Sequence, residues 1–112
     1  MNLFCIGLGH HTADVATREQ FAGNATAESI ARQAGCAEAL LLTTCNRVEV
    51  YGVSDKRIST DEIARCLIAK TNRNPYNYVP PFYRYEDNKC VQHLFRVASG
   101  LDSMVVGESE IF

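Results

Sequence analysis

The apolar positions of this chain switch between a period of two and a period near four. Leu3 to Leu8 is a short apolar run and predicts a strand. Thr17 to Ala22 suggests a turn of helix. Thr26 is placed to cap a helix with Ala27, Ile30, Ala31 and Ala34 on one face, and Gly35 is placed to stop it. Glu38 to Thr44 is nearly all apolar and predicts a central strand, while Arg47 to Val53 alternates and predicts a second one. Ser59 and Glu62 have capping-box spacing ahead of Ile63, Leu67, Ile68 and Thr71 on one helical face. Asn74-Pro75 and Pro80-Pro81 punctuate residues 72–81 as a loop, and Phe82 to Tyr85 follows as a short strand. Asp87 is then placed to cap a helix carrying Val91, Leu94, Phe95 and Ala98 at i, i+3, i+4 and i+7, with Gly100 near its end. GESEIF at the end reads as the opening of a further helix, with Glu108 and Glu110 near its positive end. Its stopping there predicts that the chain is a fragment of a longer protein.

The order β-α-β-β-α-β plus a helix predicts an α+β fold. We expect a ferredoxin-like split β-α-β sandwich with an antiparallel sheet and a C-terminal helix, forming one domain over residues 1–112. A parallel doubly wound sheet is disfavoured, because only two or three residues separate the second and third strands.

Composition narrows the class. The chain has 112 residues, 46% hydrophobic and 21% charged, and a formal net charge of −2, ordinary values for a globular domain. No apolar run reaches membrane-spanning length, and the start lacks the basic and apolar regions of a secretory signal, so no membrane partner is expected. The near-neutral charge argues against a dedicated basic nucleic-acid module. Lys56, Arg57, Arg65, Lys70 and Arg73 are interleaved with Asp55, Asp61 and Glu62, the pattern of a solvated face. Five cysteines form no C-x-x-C pair, which predicts free thiols in a reducing cytoplasm and neither a disulfide framework nor a metal site.

Cys45 is the sharpest chemical candidate. It ends an apolar strand within Thr43-Thr44-Cys45-Asn46-Arg47, and the cation two residues away would favour a thiolate. The competing reading is a small core residue, the usual fate of a free cysteine. Cys5, Cys36, Cys66 and Cys90 have apolar or helical surroundings, and the core reading wins for them. His93 falls just outside the apolar stripe of its helix, a half-buried edge position that suits either a partner for a thiol or a partly exposed helix residue. His10 and His11 follow a strand and read as turn residues, or at most as lining for a nearby site. Gly7-Leu8-Gly9 fails as a dinucleotide fingerprint, since the third glycine position holds Thr12.

Three strings, LGHHTADVATREQFA, LLTTCNRVEVYG and HLFRVASGLDSMVVGESEI, are spread along the chain and joined by variable segments. In this order they closely resemble the N-terminal catalytic domain of the glutamyl-tRNA reductase family. The resemblance implies NADPH-dependent reduction of glutamyl-tRNA(Glu) to glutamate-1-semialdehyde, the entry to 5-aminolevulinate and tetrapyrroles. Carried onto this sequence, it implies Cys45 as the nucleophile that takes the acyl group as a thioester and His93 as a histidine important for activity. Thr44, Cys45, Asn46 and Arg47 match a substrate-binding segment, as do Ser103 and Glu108, Ser109 and Glu110. The family commonly has Pro-Gln where Ser109-Glu110 stands here, which puts a carboxylate where an amide is expected. The resemblance further implies that NADPH is held by a domain outside this chain, with no cofactor-binding residue here. It implies homodimerisation through a C-terminal region also outside it, and glutamate-1-semialdehyde aminomutase as a protein partner. The rival classes are a non-catalytic ferredoxin-like module that binds RNA or protein, and a free-standing thiol esterase.

Overall fold

A computed structural model describes residues 1–68 and 81–100. Within them lie four strands, β1 (Asn2–Gly9), β2 (Glu38–Thr43), β3 (Arg47–Ser54) and β4 (Tyr83–Glu86). Four helices join them, α1 (Val15–Phe21), α2 (Ala27–Ala34), α3 (Thr60–Leu67) and α4 (Asn88–Ala98). The strands form one sheet in the order β2-β3-β1-β4, every neighbouring pair antiparallel. The split β-α-β arrangement is therefore present: β1 and β2 run the same way with β3 between them.

The local signals for the helices are chemical. Thr26 accepts from the Ser29 N–H while the Ser29 hydroxyl accepts from the Thr26 N–H, a reciprocal cap on α2. Gly35 ends that helix at φ 83, in the left-handed region open to glycine. Ser59 accepts from the Glu62 N–H at the start of α3, and Asp14 accepts from the Thr17 N–H at the start of α1. Asp87 stands at the N-cap of α4, but its side chain makes no capping hydrogen bond. Its backbone N–H donates to the Leu3 carbonyl and its carboxylate accepts from the Leu3 N–H, so it extends the β1–β4 ladder into the turn.

Each face of the sheet is buried differently. Phe4, Ile6 and Leu8 of β1 and Val48 and Val50 of β3 pack on Phe21, Ile30, Ile63, Ala64 and Leu67 from α1, α2 and α3. Each of these side chains apart from Ala64 contributes about 1.5–3 kcal/mol by leaving water. The opposite face, bearing Cys5, Tyr51, Tyr83 and Tyr85, is covered by α4 through Cys90 and His93.

Two expectations are corrected here. β2 is an edge strand, with Leu40 exposed, and the alternating β3 is central. The polar half of the β3 alternation lies under α4. The buried stripe of α4 is Cys90, His93 and Val97, while Val91, Leu94, Phe95 and Ala98 are exposed. The sheet face beneath α4 carries hydroxyls and charges, and these take the histidine stripe. Thr71 and positions 72–80 of the expected loop, and the helix expected at GESEIF, lie outside the described residues.

Candidate active site

β2 and β3 are joined by Thr44, Cys45 and Asn46, closed by a bond from the Thr44 N–H to the Arg47 carbonyl at 2.9 Å. The Asn46 N–H donates to the Thr44 hydroxyl at 3.1 Å, which fixes the tip. Cys45 is exposed there, whereas Asn46 and Arg47 are buried. Arg18 reaches the turn from α1. It donates to the Ala13 carbonyl at 2.6 Å and to the Cys45 carbonyl at 3.2 Å, clamping the loop after β1 to the cysteine backbone. Nothing in the sequence marked Arg18; its buried position in a seven-residue helix is visible only in three dimensions.

Below the turn, on the face covered by α4, lies a buried polar cluster centred on Glu49. Its Oε1 accepts from the Tyr51 hydroxyl at 2.9 Å, and its Oε2 accepts from the Tyr83 hydroxyl at 2.6 Å. Nε2 of His93 meets the same Oε2, and the Arg47 guanidinium lies 3.7 Å from it. The His93 ring stacks on Tyr85 with centroids 4.5 Å apart. His93 is only 4% exposed, so it is buried and not at a half-buried edge. Room for the Glu49 side chain comes from Gly7, its direct cross-strand partner. A Cβ on Gly7 would sit 2.8 Å from Glu49 Cγ and 2.6 Å from the Val48 carbonyl oxygen.

Electrostatics follow from this packing. Burial would raise the Glu49 carboxyl, but hydrogen bonds from His93, Tyr83 and Tyr51 outweigh it and hold the group below its ordinary value. Burial, together with nearby anionic groups including Glu49, pushes the phenols of Tyr51 and Tyr83 up, so both stay protonated donors. Burial likewise pushes up the thiols of Cys5, Cys36 and Cys66, and that of Cys90 to about 11. The Arg47 charge is answered by Glu49, so its expected action on the Cys45 thiol competes with that buried carboxylate.

Cys5, Glu49 and His93 bring three potential metal-ligand atoms within 4.8 Å of one another. Their arrangement is that of a hydrogen-bonded core: the Glu49 oxygens are engaged by hydroxyls and imidazole, and the Cys5 thiol is held protonated by burial. In the Gly7-Leu8-Gly9 segment, the space a side chain on Gly7 would need is taken by Glu49 and the Val48 carbonyl. His10 and His11 lie in the turn after β1, their rings 3.9 Å apart. Ser103, Glu108, Ser109 and Glu110 lie outside the described residues.

Fold and site together define a small split β-α-β domain presenting one exposed thiol at a tight strand turn above a buried carboxylate–histidine–arginine cluster. A family model described as "Glutamyl-tRNAGlu reductase, N-terminal domain" matches residues 6–112, and the chain belongs to this family. Similar proteins named glutamyl-tRNA reductase include one from Psychromonas ingrahamii, 37% identical over 99% of this chain and 27% of that protein. Another, from Neisseria gonorrhoeae, is 41% identical over 99% of this chain and 27% of its own length. A solved structure, "Glutamyl-tRNA Reductase from Methanopyrus kandleri", superposes with a TM-score of 0.69 at 32% identity, over 97% of this chain and 25% of that one. The chain thus spans about a quarter of the length of the relatives it matches. Among the described residues no helix is long and apolar enough to cross a membrane.

Proposed function

We propose that this domain performs the acyl-transfer half of glutamyl-tRNA reduction. The observation that carries this reading is the exposure of Cys45 on a turn braced by Arg18 and rooted in the Arg47–Glu49–His93 cluster. The Cys45 sulfur attacks the α-carbonyl carbon of the glutamyl ester. A C–S bond forms, the C–O bond to the tRNA ribose breaks, and the thiol proton ends on the departing ribose oxygen. His93 carries that proton, a service general acid–base groups provide at about 10²–10⁴-fold in rate. The resulting thioester divides a difficult reduction into transfer and reduction. Thr44, Asn46 and Arg47 hold the glutamyl group, and Ser103, Glu108, Ser109 and Glu110 complete its site. NADPH supplies the hydride from a part of the full-length protein outside this chain. Glutamyl-tRNA(Glu) is the substrate partner. Homodimerisation and contact with the aminomutase that consumes the semialdehyde belong to that remainder, in the cytoplasm.

Arg47 supplies selectivity. Glutamyl and glutaminyl groups differ by a carboxylate against an amide, and a planar guanidinium grips a carboxylate with two parallel hydrogen bonds. The test uses a full-length reductase carrying this domain. Cys45→Ser is expected to abolish semialdehyde formation, and Arg47→Ala to lose about 10²–10³-fold in kcat/KM for the glutamyl substrate, with Arg47→Lys recovering part. Reduction that persists in Cys45→Ser contradicts the thioester, and an unchanged glutamyl preference in Arg47→Ala contradicts the selectivity assignment.

A further inference from the structure

We propose that Arg18 is a positioning residue of the acyl-transfer step: its guanidinium pins the peptide that joins Cys45 to Asn46, and so fixes how the cysteine side chain is presented to the substrate. This rests on the acyl-transfer reading above and adds to it a residue that lies outside the Cys45 turn and outside the cluster beneath it.

The bonding around that peptide is directional. Its N–H, on Asn46, donates to the Thr44 hydroxyl at 3.1 Å, and its carbonyl, on Cys45, accepts from Nη2 of Arg18 at 3.2 Å. The peptide is trans, so these two groups point to opposite sides of the chain. The Thr44 bond lies within the turn and moves with it. The Arg18 bond ties the turn to another part of the molecule. With that bond gone, the peptide plane is held on one side only, and the Cα–Cβ bond of Cys45 can swing about it.

Arg18 is itself anchored. Its Nη1 donates at 2.6 Å to the carbonyl of Ala13, in the loop that leaves β1. That loop is closed by bonds from the Thr12 and Ala13 N–H groups to the Gly9 carbonyl. Gly9 is the cross-strand partner of Arg47, so the loop and the β2–β3 turn leave the sheet at the same end. One planar fork therefore joins two segments that are distant in sequence. The helix that delivers it, α1, is capped by Asp14 and buries two side chains, Phe21 in the main core and Arg18 against the turn.

Packing alone does not account for an arginine here. Arg18 is buried, and among the described residues both its hydrogen bonds go to carbonyls and neither to a carboxylate. Burying a cation without an anionic partner is costly, and an apolar side chain would fill the space without that cost. A guanidinium holds its donors in a fixed plane and can meet two carbonyls at once, which the compact ammonium of a lysine does less well. Acyl transfer depends on such fixing, since a displacement of about 1 Å at the reacting atoms can cost about 10²-fold in rate.

The test is made in a full-length reductase carrying this domain, with single-turnover formation of the Cys45 acyl-enzyme measured without NADPH. Arg18→Ala is expected to slow acyl transfer about 10²-fold at saturating glutamyl-tRNA and to leave the concentration for half-saturation unchanged. Guanidinium chloride, well below denaturing concentrations, should restore part of the rate by filling the vacated slot, and sodium chloride at equal ionic strength should not. Arg18→Lys should fall between wild type and Arg18→Ala. A wild-type rate in Arg18→Ala, a loss confined to half-saturation, or equal effects of the two salts overturns the proposal. If Arg18→Ala does not fold, Arg18→Lys carries the test through amide hydrogen exchange. The Asn46 amide should lose protection about tenfold, the worth of one hydrogen bond, while the amides of β1 and β3 keep theirs. Wild-type protection at Asn46 overturns the proposal. Should wild type form no acyl-enzyme, the acyl-transfer reading falls, while Asn46 exchange still decides whether Arg18 holds the cysteine turn.

Discussion

Cys45 differs from its four fellow cysteines in surroundings, not in bonding. It sits exposed at the tip of a turn, whereas burial raises the other four thiols, Cys5 and Cys90 from within the polar face and Cys36 and Cys66 from partly covered positions. Since the thiolate is the reactive form, limited alkylation at neutral pH followed by peptide mapping should label Cys45 first. Preferential labelling of Cys36 or Cys66, the two partly exposed alternatives, contradicts this ranking. Glu49 supports a second prediction at this scale. Its folded value lies below the ordinary 4.5, so the unfolded chain binds the proton more readily. Its contribution to stability is then complete above the ordinary value and is lost as pH falls through the folded one. Urea midpoints should therefore drop between about pH 6 and about pH 3, and drop less steeply in Glu49→Gln. Equal slopes in the two proteins would show that other carboxylates carry the acid sensitivity. The sequence pointed to Cys45 through its polar turn and to Arg47 through its neighbour. It did not point to Glu49, which in an alternating strand looks like one more solvent-facing carboxylate.

At the scale of elements, capping chemistry made α2 and α3 legible, because Thr26 and Ser59 act on backbone groups a few residues away. Thr26→Ala should cost about 1 kcal/mol in unfolding free energy by removing a donor's partner at the helix start. No change in the denaturant midpoint would mean the cap is replaced by water without loss. What stayed hidden was which face of an amphipathic element meets the sheet. α4 presents two stripes, one of large apolar residues and one of Cys90, His93 and Val97, and local periodicity favours the first. The sheet chose the second, since Arg47, Glu49 and the tyrosines need polar company and not Leu94 or Phe95. The same long-range pairing makes Gly7 a structural requirement. Gly7→Ala should destabilise the domain by about 1–3 kcal/mol, because its methyl group meets backbone as well as the Glu49 side chain. A neutral result by chemical denaturation would show that β1 and β3 can separate at this point.

Across the whole molecule, the split, antiparallel arrangement was legible from the succession of elements and the short β2–β3 connection, while the edge position of β2 was not. The depth of the polar cluster was not, because it arises from four elements meeting around one carboxylate. The domain spans about a quarter of the proteins it resembles, and its Gly7-Leu8-Gly9 segment carries Thr12 where a dinucleotide fingerprint has its third glycine. The 112-residue chain alone is accordingly expected to form no semialdehyde from glutamyl-tRNA and NADPH. Turnover by this chain would reveal a cofactor site that the described residues do not suggest. The central claim, that Cys45 receives the glutamyl group, is tested most directly by trapping it. A full-length reductase carrying this domain is mixed with glutamyl-tRNA labelled in the amino acid, without NADPH, quenched in acid and digested. The label should appear on the Cys45 peptide as a hydroxylamine-labile thioester and be absent in Cys45→Ser. Label on any other residue, or none on an enzyme that reduces the same substrate once NADPH is added, would contradict the account.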